Sequence, residues 1–166
     1  VRQQVTEIYE DLARYASFNG ILFHDDAVLT DVDDAGQETT RQKSQQLIGL
    51  TQALSQTAKD IRGPQIKTAR NMFALPILQP ESEAWFAQNL DDFLSAYDWT
   101  VPMAMPLMES VPAEESNAWL TRLVNAVAAR PGALNKTIFE LQARDWAQKP
   151  QRAVADERLV EWMQVL

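Results

Sequence analysis

Apolar positions recur along this chain in alternating short runs and helical spacings. Val5, Ile8, Tyr9, Leu12 and Ala16 fall on one face of a helix, with Arg2, Glu7, Asp11 and Arg14 between them, so an amphipathic helix is predicted up to Phe18-Asn19-Gly20. Gly20-Phe23 is then a short buried strand. From about His24 to Thr40 there are six acids and a glycine without periodicity, which is loop chemistry directly after a strand. Leu47, Leu50, Leu54, Ala58 and Ile61 restore the helical period until Gly63-Pro64 breaks it.

The unit repeats. Gln65 to Ala74 is predicted as a strand, followed by a loop at Pro76 and Pro80 and one helix carrying Phe86, Leu90, Phe93, Leu94 and Tyr97. Thr100-Met105 is the third strand, ended by Pro106 and a loop holding Glu109, Pro112 and Glu114-Glu115. Trp119, Leu120, Leu123, Val124 and Val127 mark the next helix, closed by Pro131-Gly132. Lys136-Gln142 is the fourth strand, with a polar loop and a last helix through Leu159, Trp162, Met163 and Leu166 behind it. Strands alternating with helices imply a parallel sheet with right-handed crossovers. Four such units are half of an eight-stranded barrel, so the expected fold is α/β, a partial (β/α)8 barrel. A doubly wound open sheet fits the same alternation, but no Gly-rich turn follows any strand, which disfavours dinucleotide and P-loop sites.

Composition narrows the chemistry. A length of 166 residues gives one domain or a piece of a larger one. Asp and Glu number 23 against 15 Lys and Arg, a formal charge of -8, which repels nucleic acid and favours cationic ligands. With no cysteine and one histidine, Cys-based and multi-histidine metal sites are excluded, and neither a metal nor another cofactor is expected in this segment. No apolar run approaches the roughly 18 residues of a membrane span, so a soluble segment without a transmembrane helix is expected.

In either architecture the site lies where the strands end. That criterion selects His24, Asp25, Asp26 and Asp31 after the first strand and Lys67 or Asn71 on the second. Around the fourth it selects Glu140, Gln142, Arg144, Asp145 and Trp146. Paired carboxylates suit glycoside hydrolysis, and Asp25 with Glu140 or Asp31 forms the candidate pair. Adjacent residues of an extended strand point to opposite faces, which separates Asp25 from Asp26, the latter as well suited to anchoring a loop. Either acid could equally cap a turn or bridge a neighbouring loop. His24 is a base or a hydrogen-bonded packing residue. Inside a barrel, Lys67 would pair with an acid. Trp85, Trp99 and Trp146 stand near loops, where an aromatic face can stack on a sugar ring, whereas Trp119 and Trp162 have core spacing. Met103, Met105 and Met108 are core filling or an apolar subsite wall.

The runs FNGILFHDDAVLTD, GPQIKTARNMFALPIL, ESEAWFAQNLDDFLSAYDW, MAMPLME and KTIFELQARDW resemble the C-terminal domain of the poly-β-1,6-N-acetylglucosamine N-deacetylases of biofilm polysaccharide export, the haemin-storage protein F type. The resemblance spans nearly the whole chain. It implies a glycoside-hydrolase-like barrel that binds, and in some members cleaves, the partially de-N-acetylated polymer. By the same resemblance Asp25, Asp31 and Glu140 line the sugar groove, Trp85 and Trp146 are stacking platforms, and the chain is a partial C-terminal domain without the N-terminal deacetylase domain and its metal motif. A periplasmic, outer-membrane-associated location and the outer-membrane exporter of the same system as a partner are implied too. Where the family has a longer stretch between its equivalents of Asp34 and Arg41, this chain has a short link. A non-catalytic polysaccharide-binding or scaffold segment is the alternative.

Overall fold

The computed structural model describes residues 2–24, 40–146 and 148–166. Helix α1 (Arg2–Tyr15) leads into β1 (Gly20–Phe23), and α2 (Thr40–Arg62) leads to β2 (Lys67–Met72). Three short helices, α3 (Leu75–Leu78), α4 (Glu83–Phe86) and α5 (Leu90–Ala96), precede β3 (Trp99–Ala104). Helix α6 (Ser116–Ala128) then leads to β4 (Glu140–Leu141), a ribbon of β5 (Arg144–Asp145) and β6 (Arg152–Ala153), and α7 (Asp156–Val165).

Strands β1 to β4 form one parallel sheet in sequence order, with Gly20 opposite Lys67, Ala69 opposite Trp99 and Met103 opposite Glu140. Gly20 at the start of β1 allows a close approach, because a Cβ there would stand 3.0 Å from the Lys67 carbonyl oxygen and press on that strand. Alternation along each strand sorts the side chains onto two faces. Phe23, Met72 and Ala104 join Phe93, Leu120, Leu123 and Trp162 in the core beneath the helices. Fully buried Arg70 lies on that side, its guanidinium 6.0 Å from the Phe93 ring centroid. Leu22, His24, Asn71, Met103 and Glu140 have the other parity and occupy the concave face. Asn71 Nδ2 donates to Met103 Sδ there at 3.8 Å.

The sheet is curled into a half-barrel. In a flat sheet β1 and β4 would stand roughly 14 Å apart, three interstrand spacings, yet His24 Nε2 reaches Glu140 Oε1 at 2.7 Å.

Four predicted elements differ in detail. The helix predicted through Phe86 and Tyr97 is broken: Ala87 adopts left-handed φ 49°, and Asn89 caps α5 by accepting from Asp92 N at 2.9 Å. Buried Gln88 holds the break in place by accepting from Phe73 N at 2.9 Å. The fourth strand is shorter than Lys136–Gln142, because residues 133–136 form a 3-10 turn and Thr137 makes only a bridge to Thr100. The polar loop after it pairs into the β5–β6 ribbon. Helix α2 begins at Thr40, seven residues before the first of its periodic leucines. It stops at Gly63, whose φ of +104° suits a residue without Cβ.

Candidate active site

Strand β1 ends at Phe23 and passes directly into His24, while β4 opens on Glu140. Parallel pairing puts both on the concave face, and the curl brings residues 116 positions apart into contact. The side chains of His24 and Glu140 are 47% and 26% exposed, so the pair is open to solvent from one side. Glu140 Oε2 is buried and has no hydrogen-bond partner among the described residues. A buried carboxylate oxygen without a donor is costly, and a hydroxyl or ammonium brought to this face would satisfy it. The imidazole orients the carboxylate through Oε1. Together they can hold a proton or receive a hydrogen bond, as acid–base chemistry requires.

The neighbouring rim is built by Gln142. Its Oε1 accepts from Leu107 N at 2.8 Å and Met108 N at 3.1 Å, and its Nε2 donates to Arg144 O at 2.7 Å. Expected among the binding side chains, Gln142 is instead 1% exposed and ties the loop after β3 to the end of β4. That loop holds Ser110 at φ 58° and Val111 N on Pro106 O at 2.9 Å. It presents Glu109, whose carboxyl is pushed above its ordinary value of 4.5 by burial. A carboxyl that keeps its proton to higher pH at the C-terminal end of a sheet is a candidate acid. It was not singled out from sequence, although it follows the third apolar run as Asp25 follows the first.

Asn71, 1% exposed, lies under the pair on β2. Lys67 stands apart from it, at the N-terminal end of β2, with Nζ 3.0 Å from Asp98 Oδ1. It does pair with an acid, at the opposite end of the sheet from His24. Trp85 on α4 is 61% exposed, and Trp146, carried just past β5, is 44% exposed. Trp119 and Trp162 are buried in the core beneath the helices, and Met103 and Met105 are buried outside that cluster. Asp25, Asp26 and Asp31 lie outside the described residues, and with them the separation between Asp25 and Glu140. Among the described residues no group of three His, Asp or Glu side chains is arranged to hold a metal ion, and no helix is long and apolar enough to cross a membrane.

Comparison with known proteins gives this geometry a family. The chain is 46% identical over 193 aligned residues to the poly-beta-1,6-N-acetyl-D-glucosamine N-deacetylases of Escherichia coli K12 and Escherichia coli O157:H7. The match covers all of this chain and 29% of each of those proteins, so the chain spans less than a third of their length. The PgaB (BpsB) glycoside hydrolase domain from Bordetella bronchiseptica superposes with a TM-score of 0.88 at 36% identity, over 99% of this chain and 53% of that one. The family model of hypothetical glycosyl hydrolase family 13 matches residues 1–42 and 37–166, two stretches that overlap at 37–42. The chain belongs to hypothetical glycosyl hydrolase family 13.

Proposed function

We propose that these residues form part of a glycoside-hydrolase-like barrel that binds partially de-N-acetylated poly-β-1,6-N-acetylglucosamine and cleaves it. The observation that carries this reading is the His24–Glu140 pair at the C-terminal end of a half-barrel, in a chain 46% identical throughout to polysaccharide N-deacetylases. De-N-acetylation creates ammonium groups, and a protein of charge -8 with Glu140 on its concave face attracts them. Trp85 and Trp146, both exposed, supply faces for the apolar side of the sugar rings.

In this reading Asp25 donates a proton to the departing glycosidic oxygen as the C1–O bond breaks. Glu140 or Asp31 is the second carboxylate, attacking C1 or taking a proton from water. His24 orients Glu140 for that role. The family resemblance read from the sequence implies that the protein works in the periplasm at the outer membrane, beside the exporter of the same system.

The test uses the protein at its full natural length. Incubated with partially de-N-acetylated polymer, it is expected to release shorter oligomers, and Asp25→Asn to release none. Identical product profiles for wild type and Asp25→Asn would remove the catalytic assignment. Unchanged polymer affinity in Trp146→Ala would remove the stacking one. Retained affinity with no cleavage by wild type would leave a non-catalytic binding module.

A further inference from the structure

Asn19 and Gly20 join α1 to β1 at the N-terminal end of the sheet, the end opposite the His24–Glu140 pair, and both are exposed. Asn19 is the one asparagine of the sequence that is followed by glycine. The carboxamide of an asparagine lies within reach of the backbone nitrogen of the next residue, and ring closure between them turns a slow hydrolysis into an intramolecular reaction. A side chain on that next residue hinders the approach, and glycine leaves it open.

The fold favours this pair and leaves its nucleophile open. A Cβ at Gly20 would press on the Lys67 carbonyl oxygen, so packing against β2 selects glycine at the position that makes Asn19 labile. Lys67 N donates to Asn19 O at 3.0 Å. In a planar trans peptide the C=O and the following N–H point in opposite directions. With Asn19 O turned to β2, the Gly20 N–H is therefore turned away from it, and β2 is the one sheet neighbour of β1 among the described residues. The other asparagines are placed differently. Asn71 is buried, and Asn89 uses both ends of its amide, on Asp92 N and on Glu83. Asn125 and Asn135 are exposed, but the first lies within α6 before Ala126 and the second in the 3-10 turn before Lys136.

We infer that Asn19 is a site of spontaneous deamidation and that its product loosens the entry to β1. The Gly20 nitrogen, losing its proton to hydroxide, attacks Asn19 Cγ. A bond forms between them, the bond from Cγ to Nδ2 breaks, and ammonia departs to leave a succinimide. Water then opens the ring. Cleavage between Gly20 N and Cγ gives aspartate, whereas cleavage between Gly20 N and the main-chain carbonyl carbon gives isoaspartate, in which the chain runs through the side chain and is one methylene longer. The isoaspartyl form replaces the carbonyl that receives Lys67 N by a free carboxylate, and that bond is the first to hold β1 in register on β2. The inference is independent of the polysaccharide reading above.

The experiment incubates the full-length protein in mildly alkaline and in mildly acidic buffer and follows each asparagine by peptide mapping with mass spectrometry. Isoaspartate is told from aspartate by enzymatic methylation of its free carboxylate. Asn19 is expected to convert about tenfold faster than Asn125 or Asn135, and faster in the alkaline buffer, as loss of the Gly20 amide proton requires. The melting temperature of the wild type is expected to fall with conversion, while Asn19→Ser, which has no carboxamide to lose, forms no isoaspartate in that peptide and keeps its melting temperature over the same period. Conversion at Asn19 no faster than at Asn125 and Asn135 overturns the site. Full conversion with an unchanged melting temperature overturns the effect on β1.

Discussion

Glu140 concentrates what single residues contribute. One oxygen is held by His24 at 2.7 Å and the other is buried without a partner. Glu140→Gln keeps the shape and removes the charge. Polymer cleavage is expected to fall by about 10²–10⁴, the range of a lost acid–base group, while stability measured by chemical denaturation changes by no more than about 1 kcal/mol, as for a partly exposed ion pair. A large loss of stability with cleavage intact would show that the pair is structural. Asp98 sets the pH response at the other end of the sheet. Burial raises its pKa, but the hydrogen bonds from Lys67 and from Thr68 outweigh that and hold it below its ordinary 3.8. A depressed folded-state pKa means that the stabilisation is present above the unfolded value and lost as pH falls through the folded one. Unfolding curves between about pH 5 and pH 2 are therefore expected to steepen through Asp98 and to flatten in Asp98→Asn. Glu109 has the opposite sign: its raised pKa costs stability as pH rises through and above 4.5, and Glu109→Gln removes that loss.

At the scale of elements, the break between α4 and α5 is the most instructive feature. Periodicity alone joined Phe86 to Tyr97 in one helix, because Leu90, Phe93 and Leu94 all keep helical spacing. Two local features end that helix at Phe86. Asn89 followed by Asp91 and Asp92 is an N-terminal capping pattern within the predicted helix, and the Gln88 side chain binds the backbone just after β2. The cap was legible in the residues; the bond from Gln88 to Phe73 was not. Asn89→Ala removes the cap of α5 and the donor to Glu83, and is expected to cost about 1 kcal/mol in thermal or denaturant unfolding. An unchanged midpoint would mean that tertiary packing alone holds the break.

For the whole molecule, the curl of the sheet has a consequence at its open sides. Ile8, Leu12 and Tyr15 on α1, Val160 and Met163 on α7, Leu22 on β1 and Ile138 just before β4 are large apolar side chains between 48% and 85% exposed. Apolar stripes at both flanks of a half-barrel are association surfaces, and among the described residues β1 and β4 are the edge strands of the sheet. The 166 residues expressed alone are expected to self-associate at micromolar concentration in sedimentation velocity, and Ile8→Glu with Met163→Glu to reduce it. A monodisperse wild-type monomer would contradict that. The sequence by itself determined the class of the fold, since the switch between runs of strand length and helical spacing is set by burial on one face and survives without knowledge of neighbours. It also marked His24, directly after β1, and Glu140, which opens β4, as residues where apolar runs turn polar. Only the tertiary structure decided that His24 meets Glu140, that Gln142 anchors a loop, and that Lys67 serves the far end. Those outcomes depend on strand register and sheet curvature, which are properties of many residues together and are carried by no local pattern.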